Sequence, residues 1–244
     1  MPFTFSHPAI VLPFLKIRHA SISMSALIIG SITPDFEYFI RMKATGRYSH
    51  TLEGMFFLDL PVACIIAVVF HLLVKQPLLN NAPNYFYSRL IVLKNFDFIT
   101  HIRNNFLSFI GCLLIGIASH ILWDSFTHSN EYFVDKISFL SSVVSVAGLF
   151  KAPLYLCLQH ASSAIGIGFL ALYFHRQPVQ KQKNDPSIKF WIVWLMVACI
   201  VFAVRASLTF EYFADIAATS MSAGIIGLIT SSILSRIFSP GRNQ

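Results

Sequence analysis

Charge is scarce in this sequence. Asp, Glu, Lys and Arg make up 12% of its 244 residues, against roughly 25% in an ordinary soluble domain. Disorder is excluded, because it requires dense charge and few apolar residues, and the composition is not that of a soluble enzyme. Cysteine is sparse too: Cys64, Cys112, Cys157 and Cys199 fall in four separate apolar runs with no Cys-x-x-Cys pair. That excludes a disulfide framework and a thiolate metal site, and leaves four small buried hydrophobes as the expectation. There is no GxxxxGK[ST] loop, GxSxG turn, HExxH pair, internal repeat or heptad series, so the phosphate-loop, α/β-hydrolase and zincin signatures are missing. Lys16, Arg18 and His19 follow the N-terminal apolar stretch where small residues would mark a cleavage site, so no cleaved signal peptide is expected.

What is abundant is apolar: 55% of the chain, including 24 Phe. Five runs, at residues 54–74, 106–123, 153–174, 190–210 and 216–234, approach the ~20 residues that cross a bilayer as a helix. In the last, Ser220 and Gly224, and likewise Ala223 and Gly227, are spaced to let a neighbouring helix approach closely. Residues 21–33 are apolar but too short to cross. They are expected to form a buried or re-entrant helix that stops at Pro34-Asp35 and leaves Asp35 exposed at the break. Residues 137–150 are read as a helix lying in the interface. The expectation is an all-α polytopic membrane protein of about five transmembrane helices plus short N-terminal and interfacial helices. Helices sharing one bilayer pack as one unit, so a single domain is expected, with residues 1–53 as an N-terminal motif segment and 54–238 as the bundle.

The net charge of +7 would suggest nucleic acid in a soluble chain. Here Lys and Arg gather between apolar runs, so the partner implied is anionic membrane lipid and not nucleic acid. Threading five spans puts ten Lys and Arg on one side, Arg242 among them, and eight on the other. The positive-inside tendency then makes the richer side cytoplasmic. The other side, outside the cytoplasmic membrane of a bacterium on this reading, receives His7, His50, His120, His128 and His160 together with Asp35, Asp124 and most remaining carboxylates. His71, His101 and His175 fall on the cytoplasmic side without a pattern, and His19 is ambiguous.

The densest motif is Ser119-His120-Ile121-Leu122-Trp123-Asp124-Ser125-Phe126-Thr127-His128. His120, Asp124 and His128 repeat every fourth residue, which on a continuing helix stacks them on one face as ligands to one metal. Ionisable groups in a span are costly and mark function. Pro34-Asp35 presents a carboxylate on the same side, and Ser6-His7-Pro8 places a histidine where Ser6 can cap a helix and Pro8 can start it. Gln159, His160, Ser162 and Ser163 need hydrogen-bond partners and are expected to face this cluster. Arg205, in the fourth span, can pair with Asp59 of the first, hold an anionic substrate group or snorkel.

Four ordered motifs, PFTFSHPAIVLP, GSITPDFEYF, HTLEGMFFLDLPVACIIAVVFH and SHILWDSFTH, resemble a bacterial integral-membrane family known only as a domain of unknown function. His, then Pro-Asp, then His, then SHxxxD is more distantly similar to inner-membrane metal-dependent hydrolases, a group related to the helical zinc-dependent phospholipase C fold. That resemblance implies a metal site on His7, Asp35, His50, His120 and Asp124. Glu37 stands where the wider group has a second aspartate, and Ser49-His50-Thr51 replaces its Thr-His-Ser.

The expected function is therefore a membrane-embedded metal-dependent hydrolase of an ester or phosphoester, with a lipid-derived substrate. His7, Asp35, His120 and Asp124 are expected to ligate a divalent ion, zinc or alternatively manganese. His50, His128 and His160 would act as acid, base or further ligands, and Arg205 would bind substrate. A metal or solute transporter and a non-catalytic membrane scaffold are the competing readings. The clustering of ionisable groups toward one face argues against transport, which needs polar groups across the whole thickness.

Overall fold

The computed structural model describes residues 3–16, 22–146 and 148–238. Arg18, His19 and Arg242 lie outside the described residues. The chain is 73% helical with 4% strand.

Two short turns, Thr4–Ser6 and Leu12–Lys16, flank α1 (Pro8–Val11). Pro8 occupies its first turn as expected, but Ser6 does not cap it; the Ser6 hydroxyl donates to the Phe3 carbonyl at 2.7 Å. Then comes α2 (Met24–Ile32), whose N-cap Ser23 accepts from the Ala26 amide. The chain does not stop at Pro34. It continues through a 3-10 turn, Thr33–Asp35, into α3 (Phe36–Arg41), because a proline opening a new turn forfeits an amide that has no partner there anyway. Asp35 is consequently buried, 1% exposed, and not presented at an open break.

Among the described residues, five helices are long and apolar enough to cross a membrane: α4 (Leu52–Asn80), α6 (Phe98–Asp124), α8 (Leu154–His175), α9 (Ile188–Ala206) and α10 (Phe213–Phe238). Between α4 and α6 lies α5 (Asn84–Leu90), and after α6 come α7 (Tyr132–Lys136) and a hairpin of β1 (Val143–Val146) and β2 (Phe150–Pro153). Thr51 caps the start of α4 by accepting from the Gly54 amide at 2.9 Å. Helix α6 begins before the expected span and kinks at Asn105 (φ −136°, ψ 33°). The hairpin, paired from Val143↔Pro153 to Val146↔Phe150, replaces the interfacial helix expected at 137–150. Its Val-rich first strand favours an extended backbone, where branched side chains lose less freedom than on a helix.

The chain forms two compact units. The first holds residues up to Phe36, Tyr48–Ala63 and Asn105–His175; the second holds Glu37–Arg47, Cys64–Asn104 and residues from Arg176 on. In the first, Val11, Leu27, Leu113 and Ile117 form the core, and α2 lies directly on α6. A Cβ at Gly30 would collide with the Leu113 carbonyl, and one at Gly116 with the Leu27 carbonyl, so only glycine lets these backbones touch. In the second unit α9 packs on α10. The Trp194 indole N–H donates to the Gly224 carbonyl at 3.0 Å, and the expected small-residue stripe is buried there at Ala223 and Gly227. None of the four cysteines is paired. Cys112 is buried as expected, but Cys199 is exposed on α9.

Candidate metal centre

The first unit brings four chelating side chains from three separated segments to one point. From the last turns of α6 come His120 and Asp124, 0% and 3% exposed. His120 Nδ1–H donates to the Ser31 carbonyl at 2.7 Å, a bond that exists because Gly30 and Gly116 let α2 touch α6. A carbonyl only accepts, so this fixes the tautomer with Nε2 directed at the cluster. From the turn after α2 comes Asp35. Its Oδ2 accepts from the Thr4 hydroxyl at 2.5 Å, while Oδ1 lies 3.6 Å from His120 Nε2 and 3.7 Å from His50 Nε2. His50 comes from the segment before α4, with φ of +68°, a left-handed backbone costly for a non-glycine residue. That turn aims its Nε2 at Asp124 Oδ2, 3.4 Å away, and at His120 Nε2, 3.3 Å away. His120 Nε2 to Asp124 Oδ2 is 3.3 Å.

The spacing fits a metal ion. A tetrahedral ion with ligand bonds of about 2.0–2.1 Å holds its donors about 3.3–3.4 Å apart. Five of the edges among the four donor atoms measure 3.3, 3.3, 3.4, 3.6 and 3.7 Å. Asp35 Oδ1 and Asp124 Oδ1 are buried without a hydrogen-bond partner, as is His7 Nε2. Two buried carboxylates stand together here, one at the C-terminus of a helix where the backbone dipole is already negative. Such a group demands cationic charge. Asp35, His50, His120 and Asp124 could therefore hold a metal ion.

Around them stand further groups. His7 stacks on His120, centroids 3.8 Å apart, with its Nε2 3.5 Å from Asp124 Oδ1. Burial, then the neighbouring His120, pushes the His7 ring down to about 3, so it is neutral at physiological pH with a lone pair available. Burial alone would raise the Asp35 carboxyl, but His120 and His50 bring it below the usual carboxylate range. Burial also lowers His128.

The structure rearranges several expectations. Helix α6 ends at Asp124, so His128 is not a third helical turn. A tight turn, with the His128 amide donating to the Asp124 carbonyl at 3.0 Å, still leaves its Nδ1 3.6 Å from Asp124 Oδ2. His50 is one of the four mutually close donors, as the resemblance implied, whereas His7 flanks them. His160 is exposed and is not brought to the cluster. The buried face of α8 is instead Gln159, Ser163 and Gly166, and Gln159 Nε2 lies 3.2 Å from His128 Nε2. Arg205 belongs to the second unit, its guanidinium 4.8 Å from the Phe210 ring and hydrogen-bonded to the Met42 and Leu208 carbonyls. Glu37 is in that unit too, accepting from Arg41 Nε and the Arg47 amide, both at 2.8 Å. Gln159 faces the cluster as expected, and Thr4 is the site residue that sequence reasoning did not place there. The heptad-like 159, 163, 166 spacing marked the inward face of α8, while nothing local marked Thr4.

A helical chain with five membrane-length helices and a buried His/Asp cluster is the class defined by fold and site. It belongs to the family described as Domain of unknown function (DUF4184), whose model matches residues 1–239. No curated protein and no solved structure matches it.

Proposed function

We propose that this protein is a membrane-embedded, metal-dependent hydrolase of an ester or phosphoester, with Asp35, His50, His120 and Asp124 as ligands to one divalent ion. The observation that carries the metal site is the near-tetrahedral spacing of four donors drawn from three chain segments, and hydrolysis is read from His7 and His128 standing beside it. Two imidazoles and two carboxylates suit zinc, and the oxygen share admits manganese. A bound ion of this kind lowers the pKa of water and polarises a carbonyl or phosphoryl oxygen.

The chain's own groups complete the chemistry. His7, with an unpartnered Nε2 3.5 Å from Asp124 Oδ1, is positioned to accept a hydrogen bond from the attacking water and orient it. His128, held by Gln159 on the far side of Asp124, is positioned to give a proton to the leaving group. Thr4 and Ser31 hold the ligands in place. We read the site as facing the extracytoplasmic side of a bacterial cytoplasmic membrane, a reading supported by the excess of Lys and Arg on the opposite side, ten against eight.

A structural metal site is the second reading, favoured by the fact that four protein donors already fill a tetrahedron. Metal analysis of detergent-purified wild type, beside His120→Ala and His7→Gln, separates them when joined to a hydrolysis screen on phospholipid and lysophospholipid micelles. The hydrolase reading expects stoichiometric metal and turnover in wild type, no metal in His120→Ala, and metal without turnover in His7→Gln. Stoichiometric metal with no turnover on any ester or phosphoester leaves the structural site; absence of metal from reloaded wild type overturns both.

A further inference from the structure

A cavity of about 310 Å³ lies in the first unit between the N-terminal turns and α8. Its body is apolar, walled by Ala9, Ile10, Ile165 and Phe169. Its polar wall groups are mostly spent on one another: the Ser6 hydroxyl donates to the Phe3 carbonyl, and the Ser162 hydroxyl donates to the Gln159 carbonyl at 3.1 Å and accepts from the Trp123 indole at 3.3 Å. The exception is His7, which lines the cavity and whose Nε2 has no hydrogen-bond partner. A cavity with such walls offers water too few partners to be held there and suits an apolar guest with one polar end.

The contact that forms it is built in. A Cβ on Gly166 would stand 3.0 Å from both Cβ and the carbonyl oxygen of Ser6, so glycine lets the N-terminal turn lie against α8. Ile10, Ile165 and Phe169 are also exposed, by 39%, 72% and 47%. The cavity wall therefore continues onto the outer surface of a helix apolar enough to cross a membrane, where hydrocarbon is the surrounding solvent. One residue, His7, belongs at once to this cavity and to the flank of the His/Asp cluster.

We infer that the cavity receives an acyl chain of a bilayer lipid, entering sideways past Ile165 and Phe169, and that it thereby presents the lipid's ester or phosphoester beside His7. The substrate class is thus a membrane lipid and not a water-soluble ester; this inference rests on the hydrolase reading above.

The test uses the full chain, zinc-reloaded, in nanodiscs containing a phosphatidylethanolamine with a photoreactive diazirine near the end of one acyl chain. Cross-links are mapped by mass spectrometry, with turnover of the same lipid measured in parallel. Labelling at residues 6–10 and 162–169 is expected to exceed labelling at Ile200 and Val204, exposed positions on the membrane-length helix α9, by about tenfold, a 1.4 kcal/mol preference. Ala9→Phe and, separately, Ile10→Trp fill the cavity and should remove that excess while zinc content and monodispersity persist. Labelling no higher than at Ile200 and Val204, or unchanged in both zinc-replete variants, means surrounding lipid only and overturns the acyl site. Cavity labelling without turnover of this lipid overturns the substrate assignment and leaves the hydrolase reading to the wider ester and phosphoester screen, whereas turnover without cavity labelling overturns the acyl site alone.

Discussion

His50 Nε2 and His120 Nε2 stand 3.3 Å apart although 70 residues separate them in the chain, and both face the same two carboxylate oxygens. A shared proton could join only the two nitrogens. A single cation would satisfy every edge, which is why the first prediction concerns metal. Wild type is expected to bind one zinc per chain, and His120→Ala or Asp124→Asn to weaken binding by about 100-fold or more, read by elemental analysis and competition with a chelating dye. Equal affinity in these variants would show that the ion binds elsewhere.

The hydroxyl of Thr4 reaches Asp35 Oδ2 at 2.5 Å and holds the carboxylate so that Oδ1 faces the histidines. Thr4→Val keeps the shape and removes that bond. Zinc affinity is expected to fall by about 10-fold, the scale for an outer partner of a ligand, and Thr4→Ser should restore it. An unchanged affinity in Thr4→Val would mean that Asp35 is oriented by packing alone.

Backbone strain at His50 gives a prediction independent of metal. With φ at +68°, alanine is as strained there as histidine while glycine is not, a difference of about 1 kcal/mol once the greater freedom of glycine in the unfolded chain is subtracted. Both variants should lose zinc, yet metal-free His50→Gly should melt higher than metal-free His50→Ala in a thermal-shift assay. The reverse order would show that this turn relaxes to a right-handed backbone without its ligand.

For pH, His7 sets the sign. Its folded value of about 3 lies below the ordinary histidine value of 6.5, so between these the unfolded chain binds a proton that the folded chain refuses. Stability is therefore complete above about pH 6.5 and falls as the pH drops toward 3. Metal-free His7→Gln should show a shallower decline of melting temperature between pH 6.5 and 4.5 than metal-free wild type. Parallel curves would place the acid sensitivity in other groups.

The glycine contact between α2 and α6 should be unforgiving. A Cβ on Gly116 meets the Leu27 carbonyl and the Ser31 amide, whereas one on Gly111, on the same helix, meets nothing within 4 Å. Gly116→Ala is expected to cost about 1–3 kcal/mol by overpacking and to weaken zinc binding by shifting the Ser31 carbonyl off His120. Gly111→Ala should be neutral or slightly stabilising. Equal melting temperatures would deny that this contact holds the site.

Much of this was legible in the linear sequence. The five long apolar runs, the pairing of His120 with Asp124 four residues on, and the involvement of Asp35 are local signals, carried by hydropathy and helical periodicity. The misplacements have a common cause. His160 and Gln159 are neighbours in sequence, but one residue is about 100° of rotation on a helix, and only the packing of α8 on the N-terminal turns selects which of them is buried. His128 belongs at the centre's edge for a reason no periodicity contains, since α6 stops at Asp124 and a turn carries the histidine back. At 137–150 the apolar content hid a preference for strand in Val143, Val144 and Val146, and Glu37, one residue beyond Phe36, folds into the other unit against Arg41.

What the sequence by itself determined is the membrane-length helical character of the chain and the inventory of histidines and carboxylates, because transfer of apolar residues out of water and helical repeat are properties of contiguous residues. The tertiary structure alone decided which of those side chains meet. His50 became one of the four close donors and His7 their neighbour because a left-handed turn before α4, a glycine contact between α2 and α6 and a hydrogen bond from Thr4 fix orientations to fractions of an ångström, and chelation depends on orientation at that scale.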